Sequence, residues 1–136
     1  MNESTKSKLL GRYSPSILSV LFFAIGIAPV IVLFSSVIAR AFMLDCQSSD
    51  IGILAGILFY CAILSEVNFR YVNVDEKHML SHGPLRIYRQ NLELCDVGGI
   101  RLAKARAGST TEVQYRGRWI VFASNRRFKR RIDEVL

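Results

Sequence analysis

The hydrophobic residues of this 136-residue chain are concentrated in two long uncharged runs within its first half. The first run, Ser16–Ala39, contains 24 residues without a charge and would form a helix of about 36 Å at ~1.5 Å per residue. Because the hydrocarbon core of a bilayer is ~30 Å thick, this helix is long enough to cross a membrane with some tilt. Gly26 and Pro29 lie near its middle and predict a mild kink, which membrane helices tolerate.

The second run, Ile51–Ser65, is shorter than the ~17 residues that a membrane span needs. Extending it to about Asp50–Phe69 gives sufficient length but includes Glu66. This carboxylate would lie within a turn of the helix end, where it reaches the headgroup water, and Arg70 follows at i+4 to offset its charge. We therefore predict a second membrane helix with Glu66 as an interfacial residue; a role for Glu66 as a proton carrier is the alternative.

Basic residues flank the two runs unevenly. Three of them precede the first run, and 14 of the chain's 18 Lys and Arg residues lie in residues 66–136, whereas the connection between the runs has only Arg40. The positive-inside rule therefore predicts a multi-pass protein of the cytoplasmic (inner) membrane, with both termini in the cytoplasm and the loop Arg40–Asp50 outside. Ala39-Arg40-Ala41 also has the form of a signal-peptidase site, but the first run exceeds the usual apolar length of about 7–15 residues in signal peptides.

Within the second run, Gly52 and Gly56 form a small-xxx-small pattern. Such a pattern lets two helix backbones approach closely in a membrane. Its simplest use is packing against the first helix of the same chain. Dimerisation, or docking on another membrane protein, is the alternative.

After Phe69 the pattern changes to short segments of alternating apolar and polar residues, which is typical of β-strands. Turn-forming residues separate these segments, among them Gly83-Pro84, Gly98-Gly99 and Ala107-Gly108-Ser109. So many short strands predict a meandering antiparallel sheet, curled to protect its edges. The predicted strands are Phe69–Val74, Met79–Ser81, Leu85–Arg89, Leu92–Val97, Ile100–Ala105, Glu112–Arg116 and Trp119–Ala123.

The chain closes with a predicted amphipathic helix, Asn125–Leu136. Phe128, Ile132 and Val135 recur at i, i+4 and i+7 and form one apolar stripe, and Ser124 or Asn125 can cap the start. We expect this helix to cover the open face of the sheet. The sequence thus predicts an α+β membrane protein with a basic N-terminal segment (residues 1–14), a transmembrane helical hairpin (residues 15–69) and a cytoplasmic β domain with its helix (residues 70–136).

Most of the net charge belongs to this last part, because residues 66–136 contribute +6 of the chain's +7. The cations of the terminal helix stand at its start and its carboxylates at its end, which opposes the helix dipole by about 0.3–1 kcal/mol per exposed charge. We interpret the cations as a surface for anionic lipid or an acidic protein; a solvated face that follows from topology is the alternative. They are Arg126, Arg127, Lys129, Arg130 and Arg131.

The order of these features resembles that of the bacterial pleckstrin-homology-like (PH-like) membrane proteins. The features are the two-helix hairpin, a strand ending in Val74-Asp75-Glu76, the segment Leu92–Ile100 with its Asp96-Val97-Gly98-Gly99 turn, the strand Trp119–Phe122 and the terminal helix. Val97 stands where the family often has isoleucine. The resemblance implies a partly open β-barrel capped by a helix and used for binding, and it brings no catalytic residues.

Residues with catalytic or metal-binding chemistry are scattered. His78 and His82 have helical i, i+4 spacing but fall on a predicted turn and strand, where their side chains do not converge. Cys95 falls on a strand and is expected to face the core as a small hydrophobic residue. The remaining cysteines are far from it in sequence, which disfavours disulfides and zinc sites. We therefore predict no catalytic residues, no metal, no cofactor and no enzymatic activity.

The sequence favours a non-enzymatic membrane protein whose PH-like domain binds a protein partner or the anionic membrane surface, as an accessory subunit of a membrane assembly. The expected partners are membrane lipids and another membrane protein or further copies of the chain; nucleic acid is disfavoured because aromatic residues are not interleaved with the basic ones. Two alternatives stay open. One is an immunity or regulatory protein acting on a membrane-active toxin through the hairpin and the loop around Cys46, and the other is a small transporter or channel subunit using Glu66.

Overall fold

A computed structural model describes residues 1–106, 108–122 and 125–136 of the chain. Both long apolar runs are helical, and β-strands with a final helix follow them, so the structure is α+β. In chain order the elements are α1 (Glu3–Leu9), β1 (Gly11–Tyr13), α2 (Ile17–Phe42), α3 (Ser48–Asn68), β2 (Tyr71–Val74), β3 (His78–His82), β4 (Arg89–Glu93), a 3-10 turn (Leu94–Asp96), β5 (Val97–Ala105), β6 (Gly108–Tyr115), β7 (Arg118–Phe122) and α4 (Arg126–Val135).

Helices α2 and α3 are long and apolar enough to cross a membrane. They have 26 and 21 residues, or about 39 and 32 Å at ~1.5 Å per residue. Large apolar side chains along both helices are exposed, for example Phe22 at 63% and Leu58 at 72%. This confirms the two predicted apolar helices to within three residues at each end.

The two long helices contact each other at a glycine of α2. A Cβ added at Gly26 would lie 2.9 Å from the Leu64 side chain, so glycine permits the close approach. The Tyr60 hydroxyl donates a hydrogen bond of 3.1 Å to the Gly26 carbonyl, which adds a polar contact between the two helices. At the loop end of the hairpin, Arg40 pairs with the buried Asp50 at 2.8 Å.

The strands divide between two antiparallel sheets, in the orders β1-β2-β3-β4 and β5-β6-β7. The sequence had predicted a single meandering sheet. The division occurs at the 3-10 turn, where the backbone N–H of Leu94 donates to the Lys77 carbonyl at 2.8 Å and the Leu94 side chain is buried. Cys95 lies within this turn and is exposed, so the prediction that its side chain faces the core is wrong.

Two further predictions from local sequence are wrong. The Gly98-Gly99 pair does not form a turn between strands but a bulge inside β5, where the register shifts between Val97 and Gly99. The predicted strand Leu85–Arg89 is absent except for Arg89, which begins β4. The Arg86 N–H donates to the Gly83 carbonyl at 3.2 Å, and Arg86 has a φ of 56°. A turn of this kind interrupts an extended chain, whatever the alternation of its side chains. The strand end at Ala123 and the turn residue Ala107 lie outside the described residues.

The N-terminal segment is part of the β domain. Strand β1 pairs with β2, in the register Gly11 with Val74 and Tyr13 with Val72, and Leu9 is 1% exposed within the hydrophobic core. The chain therefore begins the first sheet, forms the α2–α3 hairpin and then returns to continue the same sheet. No local pattern predicted this pairing, since its two strands are 58 residues apart in sequence at Tyr13 and Tyr71.

Helix α4 packs on the core through the predicted apolar stripe. Phe128 and Ile132 are 0% exposed, and Val135 packs against the same cluster. The Phe128 ring meets Tyr13 edge-on, with ring centroids 5.0 Å apart, and lies 6.0 Å from the ring of Phe122. The stripe prediction is confirmed, because apolar residues at this spacing must share one face of a helix.

The side chain of Asn125 joins three parts of the chain. Its side-chain oxygen accepts a hydrogen bond of 2.9 Å from the Phe128 N–H and so caps α4, which confirms the cap predicted at Asn125. The other predicted cap, Ser124, lies outside the described residues. The amide nitrogen of Asn125 donates to the carbonyls of Tyr13, at 2.6 Å, and of Arg70, at 2.9 Å. These two carbonyls lie four residues before α2 begins and two residues after α3 ends. The start of α4 is thereby attached to both connections between the β domain and the hairpin.

We predict that Asn125→Asp destabilises the β domain by about 2–3 kcal/mol, although Asp and Asn are equally good caps in ordinary helices. The substitution keeps the acceptor for Phe128 but removes both hydrogen bonds to the carbonyls of Tyr13 and Arg70. Thermal unfolding of the full chain in detergent, followed by circular dichroism, measures the loss. Asn91→Asp on the exposed side of β4 is the matched control. Equal stability of the two variants would show that Asn125 acts only as a helix cap.

Candidate functional site

A groove of about 800 Å³ lies between α4 and the beginning of α2. One wall is basic, and the other contains Ser16 and Leu18 at the start of the first apolar helix. We call this the basic groove. Its lining residues are Tyr13, Ser16, Leu18, Arg126, Arg127, Arg130, Arg131 and Glu134.

The arginines of the basic groove differ in how they are held. Arg127 donates to the Ser14 hydroxyl at 3.0 Å, and Arg131 donates to the Lys8 carbonyl at 3.1 Å. Arg130 and Arg131 both pair with Glu134 at 3.3 Å, and the Arg130 side chain is 84% exposed. No hydrogen bond or ion pair of Arg126 is found among the described residues. Since exposed ion pairs contribute little, the groove keeps most of its positive charge available.

The fifth predicted cation lies elsewhere. Lys129 donates to the Ser109 carbonyl at 2.6 Å, at the start of β6. It lines an adjacent pocket on α4 with Leu102 and Asp133, and Arg126 and Arg130 line both that pocket and the basic groove. The structure thus brings four of the five predicted basic residues together beside α2 and separates Lys129 from the groove.

Tyr13 supplies a neutral hydroxyl to the same groove. Burial raises the pKa of this hydroxyl above its ordinary value, and the positive charge of Arg131 opposes the shift. The hydroxyl donates to the Leu9 carbonyl at 2.9 Å. Sequence reasoning missed Tyr13 as a groove residue because its place depends on the pairing of β1 with β2.

Glu66 is buried at 5% exposure, so the prediction of a carboxylate in headgroup water is wrong. Its two oxygens accept hydrogen bonds from the backbone N–H groups of Leu85, at 2.6 Å, and Tyr88, at 3.3 Å. The expected partner Arg70 instead donates to the Tyr88 carbonyl at 3.4 Å. The carboxylate therefore attaches the last turn of α3 to the segment that follows β3, which we call the 83–88 loop.

Gly83 makes room for this carboxylate. A Cβ added at Gly83 would overlap the carboxylate of Glu66. A side chain there would force the carboxylate away from the N–H groups of Leu85 and Tyr88. The sequence around Gly83 indicates only a turn, because nothing local shows that a glutamate 17 residues earlier will contact it.

The small-xxx-small glycines do not form the close contact between α2 and α3. For both Gly52 and Gly56, nothing among the described residues lies within 4 Å of an added Cβ, apart from the neighbouring helix backbone. Gly56 instead borders an apolar cleft of about 460 Å³ between the helices, which Pro29 and Tyr60 also line.

Possible metal ligands are found at one place in the described part of the chain. Side-chain ligand atoms of Glu93, Cys95 and Asp96 lie within 4.8 Å of one another on the surface. Asp96 is already paired with Arg116 at 2.8 Å, a hydrogen bond that raises the pKa of the guanidinium above its ordinary value. The two histidines stand at opposite ends of β3, and the ring of His82 stacks on Tyr71 with centroids 5.5 Å apart.

We predict that Glu66→Gln loosens the 83–88 loop, because a neutral amide oxygen accepts backbone hydrogen bonds more weakly than a carboxylate does. A difference of about 1 kcal/mol corresponds to a loop that is open roughly fivefold more often. Limited digestion with trypsin, with cleavage after Arg86 quantified by mass spectrometry, measures this opening. Glu76→Gln in the exposed turn between β2 and β3 is the control. If both variants are cut at the wild-type rate, the carboxylate does not order the loop.

No family model, curated protein or solved structure is similar enough to match this chain.

Proposed function

We propose that this chain is a non-enzymatic membrane protein in which α2 and α3 cross the bilayer and the β domain binds anionic phospholipid headgroups of the same membrane through the basic groove. The observation that carries the proposal is the composition of the groove walls. Four arginines on α4 face the first residues of an apolar helix that is long enough to span a bilayer.

The position of the groove supports a lipid headgroup as its ligand. If α2 spans the membrane, its first residues lie at the level of the headgroups, and so does a groove lined by Ser16 and Leu18. The groove contains four guanidinium groups and one carboxylate, Glu134. Guanidinium groups bind phosphate oxygens in a bidentate manner, and each cation near an anionic surface contributes about 1 kcal/mol. A phosphate group at this position would be neutralised without leaving the membrane surface.

The attachment of α4 supports the same proposal. Asn125 binds the carbonyls of Tyr13 and Arg70, so the start of α4 stays beside both ends of the hairpin. Because α4 is already fixed there before lipid binds, little further orientational entropy is lost on binding, and the affinity for lipid is correspondingly higher. The two antiparallel sheets packed under a final helix also support the PH-like resemblance and its implied role in binding.

A second candidate function is that of an accessory subunit whose hairpin docks on another membrane helix. The cleft beside Gly56, Pro29 and Tyr60 is the observation that favours it. Glycine on an open helix face lets a partner helix approach closely. Cross-linking from this face in native membranes, followed by identification of the linked protein, would distinguish a partner subunit from a second copy of the chain.

We predict that Arg126→Gln with Arg130→Gln weakens the binding of anionic lipid by about 2 kcal/mol, or roughly 30-fold, because two cations leave the groove. Native mass spectrometry of the protein in detergent, titrated with phosphatidylglycerol or phosphatidylcholine, counts the lipids that stay bound. Lys77→Gln with Arg118→Gln, two exposed cations outside the groove, removes the same charge and is the control.

The expected result is selective loss of phosphatidylglycerol from the groove variant, with phosphatidylcholine unchanged. Equal loss from the control pair would mean that net charge, and not the groove, attracts the lipid. No preference for phosphatidylglycerol in the wild-type protein would contradict the proposed function.

A further inference from the structure

The 83–88 loop exposes three large apolar side chains next to each other. Leu85 is 57% exposed, Ile87 is 70% exposed and Tyr88 is 49% exposed. All three belong to a domain that has a hydrophobic core in which to bury such residues. Adjacent exposed apolar residues on an ordered protein mark a contact surface more often than scattered single residues do.

The loop presents these side chains from a fixed backbone. The Glu66 carboxylate binds the N–H groups of Leu85 and Tyr88, and the turn between Gly83 and Arg86 is closed by a hydrogen bond of 3.2 Å. Because the polar backbone groups at the base of the loop are bound inside the protein, the apolar side chains project outward. A flexible loop, in contrast, exposes apolar residues because no hydrogen bonds hold its backbone in place.

The loop lies at the end of α3. Glu66 is in the last turn of that helix, and it contacts the loop directly at 2.6 Å. If α3 crosses a bilayer, its last turn lies at the membrane boundary, and the 83–88 loop lies there with it. Surfaces that adjoin the end of a membrane span face lipid headgroups and the upper acyl chains.

The residues around the loop suit this boundary. The guanidinium of Arg70 lies 4.6 Å from the centre of the Tyr88 ring, and Arg86 and Arg89 are exposed on either side of Ile87. Tyrosine and arginine both place an apolar body in lipid and a polar end in water. The mixture of apolar tip and flanking cations matches an anionic membrane surface better than it matches a purely apolar protein groove.

The loop and the basic groove adjoin the same end of the hairpin. The rings of Phe23 near the start of α2 and Phe69 after α3 lie 5.0 Å apart. Asn125 binds the carbonyls of both connections, at Tyr13 and at Arg70. The groove lies beside the start of α2 and the loop beside the end of α3, so both contacts can meet one membrane surface.

We propose that the 83–88 loop is a membrane anchor that inserts Leu85, Ile87 and Tyr88 into the boundary between the headgroups and the acyl chains of the bilayer that α3 crosses. Glu66 acts as the positioning residue for this insertion. The inference rests on the proposed function, because it requires α3 to span the membrane. It adds a second, apolar contact that is independent of the arginines of the basic groove.

Lipid-depth fluorescence quenching tests the insertion. The full chain is reconstituted into vesicles of phosphatidylcholine and phosphatidylglycerol, with or without bromine on the acyl chains. The single native tryptophan, Trp119, is the reference for the domain surface, since it is 41% exposed and the Arg101 guanidinium lies 4.0 Å from its ring centre. Ile87→Trp and Phe59→Trp, each combined with Trp119→Phe, report the loop and the middle of α3.

We expect brominated lipid to remove most of the emission of Ile87→Trp and of Phe59→Trp and little of that of native Trp119. Adding Glu66→Gln to Ile87→Trp should reduce the quenching, whereas adding the control Glu76→Gln should not, because only Glu66 orders the loop. These results together would support an anchor that depends on the carboxylate.

Three outcomes would contradict the loop anchor, and one of them would contradict the proposed function as well. Quenching of Phe59→Trp without quenching of Ile87→Trp would disprove the anchor and leave the spans intact. Absence of quenching at both positions would remove the proposed function as well. A blue-shifted Ile87→Trp emission that brominated lipid does not quench would show that protein, and not lipid, covers the loop, which also disproves the anchor.

Discussion

The relation between the β domain and the hairpin depends on the buried amide of Asn125. One side chain caps α4 through Phe128 and donates to the carbonyls of Tyr13 and Arg70, at 2.6 and 2.9 Å. Hydrogen bonds of this kind contribute about 0.5–1.5 kcal/mol each, so together they favour one placement of α4 over its alternatives. The helix that completes the hydrophobic core is thereby placed beside both connections to the long helices.

This constraint explains why charge and apolar surface occur where they do. With the start of α4 fixed, four arginines face the first turn of α2, while Phe128 and Ile132 stay in the core. Glu66 has a similar role where α3 joins the β domain, because its carboxylate attaches the 83–88 loop to the last turn of α3. A domain attached at both ends of a hairpin presents a defined face to whatever surrounds those ends.

Much of the chain follows from local pattern, and the rest does not. An uncharged run predicts a helix long enough for a membrane because length and polarity belong to the run itself. The stripe and cap of α4 follow from helix periodicity for the same reason. Leu85 and Ile87 alternate as in a strand, yet they form a turn because a carboxylate from α3 binds the loop's N–H groups. Cys95 is exposed because it alternates with the buried Leu92 and Leu94, so its expected place in the core misread the local pattern.

The sequence by itself determined the two apolar helices, the β character of the following region, the apolar stripe of α4 and the presence of its five cations. Each of these depends on residues that are neighbours in the chain. Only the tertiary structure decided that β1 joins β2 across the hairpin, that Glu66 is buried against the 83–88 loop, and that four of the cations share a groove with α2. These features arise from contacts between distant segments, and the order of residues within one segment carries no information about which other segment will meet it.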